Sequence, residues 1–194
     1  MNSSLIQHFN ESINAKESLL KQKKVISKAK QKIYNSIIKK KKIFFCGNGG
    51  SASDAQHLTA ELLIRLRPNI NRKSIAAICL HMDTSTLTAC SNDYSYDEVF
   101  SRPLSSLGQI GDILIVISTS GNSKNIVKVL KIARKMKIYS IGFFGKKGGA
   151  AKKYCDLPII VNSNNTARIQ EAHIFLGHHI LEEVENYLIS KKKI

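Results

Sequence analysis

Residues 4 to about 42 contain neither Gly nor Pro, and apolar side chains recur there at helical spacing. Leu5, Phe9 and Ile13 form one series; Ile26, Ala29, Ile33 and Ile37 form a second. The pattern predicts one long or two shorter amphipathic helices, and it carries no chemistry of its own. From residue 43 the pattern changes. Ile43–Gly47, Ile75–Leu80, Ile113–Ile117, Ile138–Phe144 and Leu157–Val161 are short apolar runs with little alternation, rich in β-branched and aromatic residues. Such runs predict strands buried on both faces. Helix-length polar–apolar segments separate most of them, for example 52–66 and 123–136, and a last helix is predicted from about Thr166 to Ser190. The alternation predicts an α/β fold: a parallel five-stranded sheet with helices on both faces, three layers in all. There is no internal repeat, low-complexity linker or domain boundary. The expectation is one domain over 1–194, with 1–42 as an N-terminal helical oligomerisation segment and 43–194 as the α/β core.

Composition narrows this further. The chain has 194 residues, is 43% hydrophobic and carries a formal net charge of +16. That length suits a single domain, and the apolar content excludes a wholly disordered chain. No stretch approaches the roughly 20 apolar residues of a membrane span. The start, Met1-Asn2-Ser3-Ser4-Leu5, lacks the apolar stretch of a signal peptide, so a cytosolic protein is expected. The basic residues, among them Lys39–Lys42, Lys146-Lys147, Lys152-Lys153 and Lys191–Lys193, are spread along the chain without interleaved aromatics. They read as a solvated basic surface that favours anionic ligands, rather than as a nucleic-acid interface. Cys46, Cys79, Cys90 and Cys155 show no C-x-x-C spacing and read as reduced core or near-core residues.

In an open parallel sheet, ligands bind outside the carboxyl ends of the strands. Two such ends stand out. The first strand runs into Gly47-Asn48-Gly49-Gly50-Ser51, and the third into Ser118-Thr119-Ser120-Gly121-Asn122-Ser123. Both set small residues, hydroxyls and backbone N–H groups before a helix, which suits an anion such as phosphate. Neither loop matches the P-loop or the dinucleotide fingerprint. The helix after the first loop places His57 and Glu61 four apart on one face, a pair that can hold a metal or exchange protons. The last helix carries Gln170 and His178 on roughly one side, eight residues apart, which leaves His173 and His179 free to face solvent.

Together, Gly47–Ser51, the His57/Glu61 pair, Asn92-Asp93, Ser118–Ser123 and Arg168-Ile169-Gln170-Glu171 resemble the phosphoheptose isomerase family, of the sugar isomerase (SIS), flavodoxin-like fold. The resemblance spans nearly the whole chain. It implies isomerisation of sedoheptulose 7-phosphate to D-glycero-D-manno-heptose 7-phosphate, an early step towards the heptose of lipopolysaccharide or capsule. It also implies one Zn²⁺ per subunit, held by His57, Glu61, Gln170 and His178, and a homotetramer with active sites between subunits. The substrate contacts it implies are Asn48, Gly49, Gly50, Glu61, Asn92, Asp93, Ser118, Thr119, Ser120, Ser123 and Gln170. Ala167 departs from the Asp that some members carry before the Arg-Ile-Gln-Glu run.

The residues suit that chemistry. Ketose–aldose isomerisation needs a base for a carbon proton, an acid for oxygen, and charge stabilisation at an enediolate. Glu61 is the candidate catalytic base and His178 the candidate acid. A carboxylate on Zn²⁺ is a weaker base, so Glu61 must work through its second oxygen or leave the metal. Two rivals remain open. One is a non-catalytic SIS regulator that binds the replication initiator protein; such relatives lack the acidic residue and the His that stand here as Glu61 and His178. The other is an isomerase of a different phosphosugar.

Overall fold

The computed structural model describes residues 2–194. The N-terminal segment is two helices, α1 (Asn2–Leu20) and α2 (Lys23–Ile38). Then come β1 (Ile43–Gly47), α3 (Gly50–Leu63), β2 (Ala77–Cys79), α4 (Thr84–Asp93) and a 3₁₀ turn at Tyr96–Glu98. The rest is α5 (Ser101–Leu107), β3 (Ile113–Ser118), α6 (Lys124–Lys135), β4 (Tyr139–Gly145), a 3₁₀ turn at Ala150–Tyr154, β5 (Leu157–Val161) and α7 (Thr166–Ser190). All strand pairs are parallel, in the order β2-β1-β3-β4-β5.

Because strand side chains alternate between faces, one run of apolar residues feeds two cores. Ile43, Phe45, Ile113, Ile115 and Ile141 meet residues of α1, α2, α3 and α7, among them Leu19, Ile33, Leu58 and Leu176. Phe44, Cys46, Leu114, Val116 and Phe144 meet Phe100, Leu104, Ile126, Val129 and Leu130 on the other side. All four cysteines are buried and unpaired. Among the described residues, no helix is long and apolar enough to cross a membrane.

Two elements differ from the sequence pattern. The second strand shrinks from Ile75–Leu80 to three residues, because as an edge strand it has only β1 to pair with. Ile75 instead donates its N–H to the Leu62 carbonyl of α3. The N-terminal segment divides at Gln22, whose side-chain amide bonds both the N–H and the carbonyl of Ile160 on β5. Gln22 thus occupies the open edge of the sheet, where unpaired backbone groups would otherwise face water. The two helices then part company: Ile26 and Ile33 of α2 are core, whereas Leu5, Ile6, Phe9 and Leu20 of α1 stay exposed. Leu5, Phe9 and, less fully, Ile13 of the first apolar series are exposed, while Ala15 and Leu19 of the same helix reach the core.

Candidate active site

The strand order reverses direction between β1 and β3, and the two strands are hydrogen-bonded neighbours with Gly47 level with Ile117. The loops that follow them therefore emerge side by side at the switch point, the usual ligand crevice of this sheet type. Gly49 takes φ 58°, ψ −126°, a conformation that glycine adopts without strain, and turns the chain into α3. Asn48 and Asn125 exchange amide hydrogen bonds of 2.9 Å across the two loops, and the Tyr96 hydroxyl donates to Asn48 Oδ1 at 3.0 Å. Within the second loop, Ser118 Oγ accepts from the Gly121 N–H and Ser120 Oγ from the Asn122 N–H. The chain after β4 braces it, since Ala151 donates to the Gly121 carbonyl and Ala150 to Asn122 Oδ1. The hydroxyls of Thr119 and Ser123 have no hydrogen-bond partner among the described residues. The result is a braced cradle with donors to spare.

The second part of the site lies on two helices. α3 and α7 run side by side in the same direction: Gly50 meets the Gln170 amide, and Gly177 meets Leu58. A Cβ at either glycine would collide with that neighbour, so the glycines set how closely the helices approach. This packing brings His178 opposite His57, with Nε2 to Nε2 2.8 Å. Glu61 Oε1 is 3.2 Å from His57 Nε2, and one ligand atom from each of the three residues lies within 4.8 Å of the others. Glu61 Oε2 is buried and has no hydrogen-bond partner among the described residues. Burial, and then the nearby His57, push the His178 pKa down from its ordinary value.

This trio fits a divalent metal. Two imidazole nitrogens converge at 2.8 Å, a buried carboxylate oxygen lacks a partner among the described residues, and a two-His, one-Glu donor set is a familiar zinc environment. Gln170 sits at the start of the same groove, against Gly50. That position is seven residues before His57, roughly 10 Å along the α3 axis. The structure therefore brings His57, Glu61 and His178 together and joins Gln170 to the glycine-rich loop.

Other residues fall at varying removes. Asn92 and Asp93 end α4, exposed and hydrogen-bonded to each other, and the segment touches the cradle through Tyr96. His179 is exposed, but His173 is fully buried against the sheet near Phe143, a correction to the expectation that both face solvent. Position 173 falls on the face of α7 that packs against β4. The Phe144 backbone favours a charged ring, but neither ring nitrogen has a partner of good geometry, and burial lowers the pKa to about 4. Sequence reasoning passed over Asp54, Tyr96 and Asn125. Asp54 lies one turn before His57, with Oδ2 buried and unpartnered, and burial raises its pKa to about 6. Its i,i+3 spacing to His57 was the available signal.

The profile of the SIS domain matches residues 7–145. The phosphoheptose isomerase of Clostridium acetobutylicum is 47% identical over 185 residues, covering 93% of each chain. The phosphoheptose isomerase 2 of Campylobacter jejuni is 44% identical over 194 residues, covering 98% of this chain and 96% of its own. The phosphoheptose isomerase structure from Neisseria gonorrhoeae superposes with a TM-score of 0.89 at 38% identity, covering 95% of this chain and 98% of its own. The one from Francisella tularensis gives 0.90 at 32%, covering 95% and 97%. With the fold, the switch-point cradle and these likenesses in agreement, the chain belongs to the phosphoheptose isomerase family of SIS-domain enzymes.

Proposed function

We propose that this isomerase interconverts sedoheptulose 7-phosphate and D-glycero-D-manno-heptose 7-phosphate, supplying the heptose of lipopolysaccharide or capsule from the cytosol. The observation that carries the reading is the spacing of the two parts of the site. The loop and the His57–Glu61–His178 trio are offset by roughly 10 Å along α3. From C2 to the phosphorus at C7 an extended heptose phosphate spans roughly 9 Å, given bonds of about 1.5 Å. Phosphate in the cradle thus leaves C1 and C2 at the trio, which a three-carbon substrate could not do.

In this reading Ser118, Thr119, Ser120 and Ser123, with the backbone of Asn48, Gly49 and Gly50, hold the phosphate end. Asn92, Asp93 and Gln170 contact the sugar chain. Glu61 takes the C1 proton of the ketose, and its unpartnered Oε2 is the oxygen free to do so. His178 gives a proton to O2 and receives the one on O1. Return of the proton from Glu61 to C2 leaves the aldehyde at C1, so atoms balance. Zn²⁺ held by His57, Glu61 and His178 would polarise the substrate oxygens and stabilise enediolate charge, whereas Gln170, the fourth ligand that the resemblance implies, lies against Gly50 at the other end of the groove.

Assembly as a homotetramer with shared sites belongs to the same proposal. The oligomerisation role expected of residues 1–42 falls to α1, since Leu5 is 72% and Phe9 63% exposed while α2 is core. Apolar surface of that extent favours burial against another copy, at about 25 cal/mol per Å². Leu5→Lys combined with Phe9→Lys is the test. A smaller mass by light scattering with reduced activity supports the assembly, and an unchanged mass overturns it. For the reaction, purified zinc-loaded protein is given sedoheptulose 7-phosphate, and triose and hexose phosphates for comparison. No turnover of the heptulose phosphate would sink the assignment.

A further inference from the structure

Arg72 lies in the irregular segment between α3 and β2, yet its side chain is 1% exposed. Its Nε donates to Glu185 Oε1 at 2.6 Å, Nη1 to the Leu62 carbonyl at 2.9 Å, and Nη2 to the carbonyl of Glu61 itself at 2.5 Å. Glu185 is 3% exposed, and its other oxygen accepts from Arg67 Nε at 2.9 Å. Arg67 also reaches Asn186 Oδ1. Two arginines that follow α3 thus close on one buried carboxylate of α7.

The last carbonyls of a helix lack partners within it, and a cation there is favoured by the helix dipole. Arg72 meets both needs at the end of α3 that bears Glu61. Glu185 lies seven residues beyond His178, two turns along the same face of α7. The clasp therefore joins the backbone of Glu61 to the helix that carries His178. The glycine contacts at Gly50 and Gly177 fix how near the two helices lie, but a smooth contact does not stop one from sliding along the other. A forked, charged hydrogen-bond set does, because its geometry is directional. Metal–ligand distances tolerate only a few tenths of an ångström, so axial register matters to this trio.

We propose that the Arg72–Glu185–Arg67 clasp is a positioning device for the active site, setting the register of α3 on α7 and so the place of Glu61 between His57 and His178. The inference rests on the functional reading above.

The test compares the wild type with Arg72→Lys, Arg67→Ala, Glu185→Gln and Glu185→Ala. Co²⁺ affinity is read by competition with a chromophoric chelator, geometry by the visible absorption of bound Co²⁺, and turnover as separate kcat and KM for sedoheptulose 7-phosphate. Circular dichroism checks the fold. Arg72→Lys should lower Co²⁺ affinity roughly tenfold to a hundredfold, alter the Co²⁺ spectrum and reduce kcat while KM changes little. Glu185→Gln, which keeps the hydrogen-bond shape, should retain more affinity than Glu185→Ala. Folded variants with wild-type affinity, spectrum and kcat overturn the proposal and leave the clasp a stability feature. Should Arg72→Lys not fold, Arg67→Ala decides by the same measurements, because Arg67 sits at the rim of the clasp. A wild type that neither binds Co²⁺ nor turns over substrate removes the functional reading, and this proposal with it. A wild type that does both while the variants match it removes the clasp alone.

Discussion

The switch-point cradle and the α3/α7 groove adjoin each other but are built on opposite principles. In the cradle, polar groups mostly satisfy one another: Asn48 pairs with Asn125 and Tyr96, and Ser118 and Ser120 accept backbone N–H groups. Such a loop is braced before any ligand arrives, and it offers the same donors to any phosphate. In the groove, the three side chains meet one another and leave one buried atom without a partner. Two imidazole nitrogens face each other, and Glu61 Oε2 has no partner. An unpaired buried polar atom costs about 1–3 kcal/mol, so the fold holds Glu61 Oε2 in a state that a ligand relieves. The contrast separates binding from chemistry, and substitutions should sort accordingly.

The largest effect is expected in the groove. Glu61→Gln keeps size and hydrogen bonding but removes the base, so kcat should fall roughly 10²–10⁴-fold, with an unchanged melting temperature. A coupled assay beside thermal denaturation checks both, and a kcat above a tenth of wild type would end Glu61's candidacy.

Next comes His173, on the sheet side of the same helix. Its folded pKa of about 4 lies below the ordinary 6.5, so between these values the unfolded chain binds a proton that the folded one refuses. Its contribution is intact above pH 6.5 and is lost as pH falls towards 4, by roughly 3 kcal/mol in all. His173→Met should flatten that slope in urea unfolding of metal-free protein between pH 7 and 5, leaving only the titration of other groups. An equal slope in both proteins would show that burial of this ring does not govern acid stability.

The smallest effect belongs to the cradle. Ser123→Ala removes a hydroxyl with no partner among the described residues, so stability should hold while KM rises about tenfold and kcat changes little. Inorganic phosphate should compete with substrate in the wild type and more weakly in the variant. A fall in kcat at constant KM would instead assign Ser123 to the chemistry and blur the division between the two parts.

Much of this division is legible in the order of residues alone. Apolar runs without alternation mark strands covered on both faces, and four of the five predicted strands run nearly as read. The serine- and glycine-rich loops announce themselves because backbone approach and N-terminal capping draw on few residue types. His57 and Glu61 are visible as a pair because one helix carries both. The residues from 80 to 112 give no such reading, since α4 and α5 are short helices without a sustained apolar stripe.

What composition and periodicity determine, then, is local: which segments become strands or helices, and which loops can meet an anion. They cannot tell the Ile26–Ile33 series of α2, which is core, from the Leu5–Phe9 series of α1, which is exposed, because both obey the same 3.6-residue period. Nor can they bring His178 to His57, 121 positions apart, or tie Glu61 to Glu185 through Arg72. Those pairings depend on the order in which parallel strands assemble and on two glycines that let α3 and α7 approach. A side chain's neighbours across the fold are set by packing, and packing is a property of all the elements at once.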